Sequence, residues 1–376
     1  MDKKVLQFNH KNTIVNLSNS ILKHYSAQTS HETIKEIDNV LNGHKKVVVM
    51  LFDGLGKYMI EKYLKPKSCI RKHYLHTIEA TFPPTTVAST TGFLSGQYPI
   101  ENGWMSWTQW SDKYQCNIEP FTNINASNRN PILPRSISIH ERICAYKTIF
   151  EKIKDASPTT NVYDIKPNHI NPRGPKNLKE ASKVIDHILD KQNDLFVYFY
   201  WTSPDKELHR FGTKSIRPIF VIRKIDRFIK KITSKHKDTL FLMIADHGLV
   251  TVKGDDICDH NDLYSLLDRP ISFEKRVCTF FVKENSHEIF RELFNKYYGD
   301  KYVLLSKEEV YESNLFGVGK KHELADSFIG DFVSVAVTES SLYASKDYKF
   351  PFFLNKGHHA GYTKEEMLID VSVYNK

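Results

Sequence analysis

Asp53, Thr86, Asp205, His209, Asp246, His247 and His359 lie far apart along the chain, yet together they hold what a two-metal phosphate-ester site needs. Carboxylates and imidazoles are metal donors, and a hydroxyl is a nucleophile once activated. Asp205 and His209 are four positions apart, so on a helical turn they share one face. Asp246-His247-Gly248 closes the apolar run TLFLMIA. A charged residue and an imidazole at the end of such a run have little structural use, and the glycine permits a close turn. Gly357-His358-His359-Ala360-Gly361 is a glycine-flanked histidine pair whose backbone can pass close to a site. Each also has a plainer reading. Asp53-Gly54 is a common turn pair, Asp205 can start a helix, and Thr85 or Thr86 can cap one.

Taken together, the donors divide. Asp205, His209 and His359 can hold one metal; Asp53, Asp246 and His247 can hold a second, with Thr86 bound there too. Two such ions can stabilise both the attacking and the leaving oxygen of an in-line displacement. Thr86 is the nucleophile in this reading, because coordination stabilises its alkoxide and a helix start offers a phosphoryl group free N–H groups and partial positive charge. Oxygen and imidazole donors without thiolate suit Zn²⁺, with Mn²⁺ as the alternative.

The elements that must position these residues follow from hydrophobic patterning. VVVMLF before Asp53, LFVYFYW at 195–201 and TLFLMIA at 239–245 are short continuous apolar runs of the kind that form buried parallel strands. NVYDI at 161–165 is a further strand. Helical periodicity over 15–41, 144–155, 177–191 and 215–235 alternates with these runs, as expected of a mostly parallel sheet flanked by helices. A short helix of small residues is expected from Thr86 to Gly96, and 112–135 reads as loop. Between 272 and 335 the rhythm breaks into CTFFV, a helix near 287–298 and another near 306–312. The expected organisation is therefore a catalytic α/β domain, 1–268 and 336–376, carrying an inserted α+β cap at 269–335. FVSVAV at 332–337 is expected to return the chain to the main sheet and MLIDVSVY to close it. The active site belongs at the carboxyl ends of the parallel strands.

Bulk composition narrows the field. At 376 residues and 40% hydrophobic, the chain can bury one large core and a smaller one. No apolar stretch reaches the ~18 residues of a membrane helix, and the N-terminus has no apolar signal core; a soluble, cytoplasmic protein is expected. Five cysteines without a C-x-x-C pair argue against a disulfide framework or a thiolate zinc site. The formal charge of +9 is spread along the chain, which fits solvated helix faces better than a nucleic-acid groove.

The segments VVVMLFDGLG, FPPTTVASTTGFLSGQYPIENG, DKELHRFG, IADHGL and GHHAGYTKEEMLIDV resemble, in this order, those of the alkaline phosphatase superfamily, and most closely its nucleotide pyrophosphatase/phosphodiesterase (type I phosphodiesterase) branch. The resemblance implies an alkaline-phosphatase-like sheet, two divalent ions, a small phosphodiester or nucleotide substrate and a phospho-threonine intermediate. Ser95-Gly96-Gln97-Tyr98-Pro99 resembles the family segment that lies ten positions beyond the nucleophile, which points to Thr86 over Thr81, with Thr85 in reserve. His359 is preferred to His358 because it precedes Ala360-Gly361, where the family usually has Gly-Gly. The family's phosphate-holding Asn has no counterpart: Trp107 stands near that offset. Oxyanion stabilisation would then fall to the Val87 N–H or to the metals, while Trp104 and Trp107 could stack a nucleobase. The alternatives are a phosphomonoesterase or phosphomutase of the same superfamily, and a non-catalytic protein that binds nucleotides or nucleic acid. No Cys-x-Pro-x-Arg or Ser-x-Pro-x-Arg motif supports a sulfatase.

Overall fold

The computed structural model describes residues 6–134, 139–350 and 354–375. Six strands form the main sheet: β1 (Lys46–Phe52), β2 (Tyr74–Glu79), β3 (Asn161–Ile165), β4 (Leu195–Trp201), β5 (Leu240–Ile244) and β10 (Leu368–Tyr374). Four strands between β5 and β10 form a second sheet: β6 (Ser272–Glu274), β7 (Val277–Phe280), β8 (Tyr302–Ser306) and β9 (Phe332–Ala336).

The main sheet has the order β2-β10-β5-β1-β4-β3. β1 is parallel to both β4 and β5, and β3 is parallel to β4. β10 runs antiparallel to its neighbours β2 and β5. The central strands are buried on both faces, which is why their sequences are continuous apolar runs and not alternating ones. Helices Leu178–Lys191 and Arg217–Lys235 each bury an apolar stripe at helical spacing against this core. The segment 15–41 contains two helices, Ile14–His24 and Lys35–Leu41. Among the described residues, no helix is long and apolar enough to cross a membrane.

Two sequence expectations are corrected. FVSVAV does not rejoin the main sheet: β9 pairs antiparallel with β7 on one side and β8 on the other, and the chain returns only at Leu368. A fully buried strand has the same apolar signature in either kind of sheet, so the run carries no information on which sheet receives it. The apolar core under the second sheet also draws in Ile257, Leu263, Leu342 and Ala344, from either side of 269–335. The segment 112–135 is not wholly loop, for Gln109–Ser111, Cys116–Glu119 and Ile124–Asn125 form a small antiparallel sheet. Its strands are too short and polar to show periodicity. β2, likewise half exposed, gave no strand signal.

The two sheets are joined by a buried ion pair. Arg276, fully buried between β6 and β7, donates Nε–H to Glu366 Oε1 at 2.6 Å and Nη2–H to Oε2 at 2.7 Å. A third donor, Nη1–H, bonds the Ser340 carbonyl. Glu366 also accepts the Gly361 N–H and the Thr363 hydroxyl. Removing one partner of such a pair leaves an uncompensated buried charge, at a cost of about 3–5 kcal/mol. Arg276→Met is therefore expected to lose stability of that order in urea unfolding, and a loss below ~1 kcal/mol would show the pair to be incidental.

Candidate metal and phosphoryl-transfer site

The site lies at the carboxyl ends of β1, β4 and β5, as the parallel topology requires. β1 and β5 are in register at Leu51 and Ile244, so Asp53 and Asp246, each two residues further on, emerge at the same level. Pairing of Phe52 with Trp201 brings the turn after β4 alongside, and the Asp205 N–H bonds the Asp53 carbonyl at 3.0 Å. Helix Asp205–Phe211 then puts His209 one turn above Asp205, with Nε2 3.3 Å from Asp205 Oδ1. Gly54 allows this crowding. Its φ is +71°, and a Cβ there would meet the Asp205 backbone at 3.0 Å.

The six expected donors come together in two groups, Asp205–His209–His359 and Asp53–Asp246–His247, each with its ligand atoms within 4.8 Å of one another. In the second group His247 Nε2 is 3.5 Å from Asp53 Oδ1 and 3.6 Å from Asp246 Oδ2. In the first, His359 Nε2 is 4.0 Å from Asp205 Oδ1. His358 pairs with Val250 in a short ladder, one position removed from this group. The Thr86 hydroxyl stands beside the second group, 3.2 Å from His247 Nε2 and 3.4 Å from Asp53 Oδ1. Thr86 opens helix Thr86–Ser95, which ends at Gly96 with φ +69°. The first N–H groups of the helix, Val87 among them, have no carbonyl partner within it. Thr81 bonds Ser89 instead, away from the donors.

The donors fit a metal. Asp205 Oδ1 and Asp246 Oδ2 are buried without a hydrogen-bond partner, which is costly unless something else satisfies them. Asp246 Oδ1, by contrast, is fixed by the N–H groups of Gly54 and His247, both at 3.0 Å. His209 donates Nδ1–H to the Gly357 carbonyl at 2.7 Å and His247 donates Nδ1–H to the Gly248 carbonyl at 3.1 Å, so both present Nε2 as a lone pair. Burial pushes the Asp53 carboxyl well above its ordinary range, and the Asp246 and Asp205 charges push it further. Burial likewise takes Asp205 up to about 7. His209 is lowered by burial; His359 falls well below its ordinary value through burial and then the charges of His247 and His209. Crowded carboxyls that resist ionising and imidazoles that resist protonation are what a cluster built around positive charge looks like without it.

Two aromatic expectations separate. Trp104 is only 3% exposed, bonds the Cys144 carbonyl through its indole N–H and packs on Tyr146 and Phe121. It is a core residue with no open face for a base, which corrects its expected role in substrate binding. Trp107 is 36% exposed, and its backbone N–H bonds Glu274, a carboxylate beside His359.

A sequence profile described as type I phosphodiesterase / nucleotide pyrophosphatase matches residues 47–361. The chain belongs to this family. It is thus a hydrolase acting on phosphate esters, with an alkaline-phosphatase-like fold. Murine ectonucleotide pyrophosphatase/phosphodiesterase 5, solved as an inactive variant in complex with AMP, superposes with a TM-score of 0.61 at 16% identity, covering 88% of each chain. The human counterpart superposes with a TM-score of 0.63 at 15% identity, covering 88% of this chain and 87% of that one. These likenesses establish the fold. No curated protein matches the chain in sequence.

Sequence reasoning did not find Tyr200. It lies within the apolar run of β4, where it reads as a core aromatic, yet its hydroxyl donates to Asp53 Oδ2 and turns Oδ1 toward Thr86 and His247. Only the strand register would have revealed this. Tyr200→Phe is expected to weaken metal binding at the Asp53 group by about 10–100-fold in a calorimetric titration; wild-type affinity would show the bond to be dispensable.

The pKa shifts also predict a pH dependence. A carboxyl whose folded pKa is raised keeps a proton that the unfolded chain has released, so its contribution to stability is lost as pH rises through the folded value. The lowered histidines act in the opposite sense, but only below about pH 6.5, where the unfolded chain protonates them. Above that pH the carboxyls act alone. Metal-free protein should therefore melt at falling temperature from about pH 6.5 to 8, and Asp205→Asn should flatten the fall. A profile unchanged by that substitution would refute the assignment.

Proposed function

We propose that this chain hydrolyses a phosphodiester or pyrophosphate bond in a nucleotide-type substrate through a phospho-threonine intermediate on Thr86. The observation that carries the reading is the placement of the Thr86 hydroxyl against Asp53 and His247, at the mouth of a helix and beside two convergent donor groups. Asp205, His209 and His359 would hold one divalent cation and Asp53, Asp246 and His247 a second, Zn²⁺ being the best match to these donors. When bound, the cations supply the Lewis acidity that ionises the hydroxyl and neutralises phosphate oxygens.

The chain's own residues do the rest. Thr86 Oγ1 attacks phosphorus in line and loses its proton as the new P–O bond forms. The bond to the leaving oxygen breaks, and that oxygen takes up a proton. Water then attacks the phosphothreonine from the opposite side, the Thr86–phosphorus bond breaks, and a nucleoside monophosphate or similar product departs. The Val87 N–H, at the start of the helix, faces the charge that builds on the non-bridging oxygen in place of the family's Asn. Trp107, exposed and tied through its backbone N–H to Glu274, would meet the substrate's organic portion. The AMP complex of the murine relative supports a nucleotide substrate.

Thr86→Ala should lower kcat by at least about 10²–10⁴-fold with its fold and metal content intact, and full activity in that variant would remove the nucleophile assignment. Bis-p-nitrophenyl phosphate should be turned over faster than p-nitrophenyl phosphate. The reverse order would favour a monoesterase or phosphomutase. Chelation should abolish turnover and readdition of Zn²⁺ or Mn²⁺ restore it; activity that survives exhaustive chelation would refute the two-metal reading.

A further inference from the structure

Each of the three histidines in the donor groups has a second ring nitrogen, and the structure treats them differently. His209 and His247 each donate Nδ1–H to a backbone carbonyl. His359 Nδ1 is buried and makes no well-formed hydrogen bond; Glu274 Oε2 lies 3.6 Å from it, and the Pro84 carbonyl is the other acceptor near the ring. The other carboxylate oxygen, Oε1, accepts the Trp107 N–H at 3.1 Å and the Ser106 hydroxyl at 3.4 Å. Glu274 is thus held from the far side, with Oε2 facing His359 and the Thr85 hydroxyl also near the carboxylate.

The backbone that delivers Glu274 is itself unusual. The preceding residue, Phe273, has φ +71°, a conformation that a bulky side chain rarely adopts. Thr108 clamps it: the Phe273 N–H donates to the Thr108 carbonyl at 3.1 Å, and the Thr108 hydroxyl donates to the Phe273 carbonyl. The Phe273 ring is buried against Phe316. A strained residue held by this many contacts marks a position where the direction of the next side chain matters.

We propose that Glu274 is a positioning residue for His359: its carboxylate accepts the Nδ1–H, holding the ring in the tautomer whose Nε2 is free to bind metal. A ligating histidine commonly donates its other N–H to a carboxylate or carbonyl, and Glu274 supplies for His359 what Gly357 and Gly248 supply for His209 and His247. The second sheet thereby reaches into the metal site, and through Trp107 it ties the substrate-facing segment to a metal ligand. This inference rests on the reading of His359 as a ligand.

The test is Glu274→Gln. Glutamine still accepts from Trp107 but turns an amide N–H toward His359 Nδ1, favouring the tautomer protonated at Nε2. Calorimetric titration of the chelated protein with Zn²⁺ should show one of two binding events weakened by about 10–100-fold and the other unchanged. The ¹⁵N histidine spectrum of the metal-free protein should show one ring changing from the Nδ1–H to the Nε2–H tautomer. Unchanged affinity with unchanged tautomers would overturn the proposal. Should that variant not fold, Glu274→Asp, which keeps the acceptor but shortens its reach, should also weaken one site, and wild-type affinity there would overturn the proposal equally. A wild-type protein that takes up no metal would instead overturn the two-metal reading, so the two failures are distinguishable.

Discussion

The geometry of the site depends on the buried Arg276–Glu366 pair. Arg276 leaves the second sheet and Glu366 precedes the last strand of the main sheet, so the bidentate contact joins the two sheets, beside an apolar cluster in which Val277 and Val333 pack with Phe82, Val87 and Met367. It also reaches the site from both sides. The Glu366 side chain holds the Gly361 N–H, at the end of the His359 loop. Its backbone carbonyl accepts the Gly248 N–H at 2.8 Å, just after Asp246 and His247. One glutamate thus anchors the loops that bring a ligand to each donor group. Gly248 is required there, because a Cβ would fall 2.0 Å from the Glu365 carbonyl oxygen. A buried pair is a poor source of net stability, but it is costly to break and demanding in geometry. Those properties suit a joint that holds the two donor groups, drawn from distant parts of the chain, in one place.

The electrostatics of the site follow from the same crowding. Three carboxylates and three imidazoles meet where water is largely excluded, and the carboxylates repel one another. A folded chain can tolerate this by protonating carboxyls and keeping histidines neutral, which is the direction of the shifts at Asp53, Asp205, His209 and His359. It can also do so by admitting positive charge. The second solution frees the carboxylates and uses the histidine lone pairs at once, so the strain of the bare cluster becomes binding energy for cations. Thr86 is placed where that charge would act, at a helix start that favours an anionic phosphoryl group.

The parts legible in the sequence were those governed by local rules. Asp246-His247 ends an apolar run, Asp205 and His209 share a helical face, and Thr86 follows two prolines at a helix start; each is a short-range pattern that local geometry places without knowledge of the sheet order. The buried strands around them were legible for the same reason. What escaped reading depends on register or on which sheet a segment joins. Tyr200 reads as one more aromatic in LFVYFYW until β4 is laid beside β1. Glu274 and Arg276 lie in an inserted sheet with no periodic relation to the site. FVSVAV looks the same whether it fills a parallel or an antiparallel sheet. Trp104 and Trp107 are three positions apart, and composition alone does not say which faces the core.

The departure from Gly-Gly at Ala360-Gly361 has a physical reading in the backbone. Ala360 has φ +87°, a region that glycine enters freely and alanine only at a cost of roughly 1–2 kcal/mol. The conformation persists because the loop is held on both sides: the Ala360 N–H donates to the Pro84 carbonyl at 3.0 Å, and the Gly361 N–H donates to Glu366 at 2.8 Å. The first of these contacts reaches the segment leading to Thr86, and the second reaches the central ion pair. Ala360 is therefore strained at the point where the loop carrying His359 is locked to the Thr86 helix and to the second sheet. The methyl group is buried in the apolar cluster shared with Phe82 and Val87, so part of the conformational cost returns as packing against the same helix start. Where the family resemblance leads one to expect glycine, this chain makes the turn with a side chain that also packs in the cluster holding Val87.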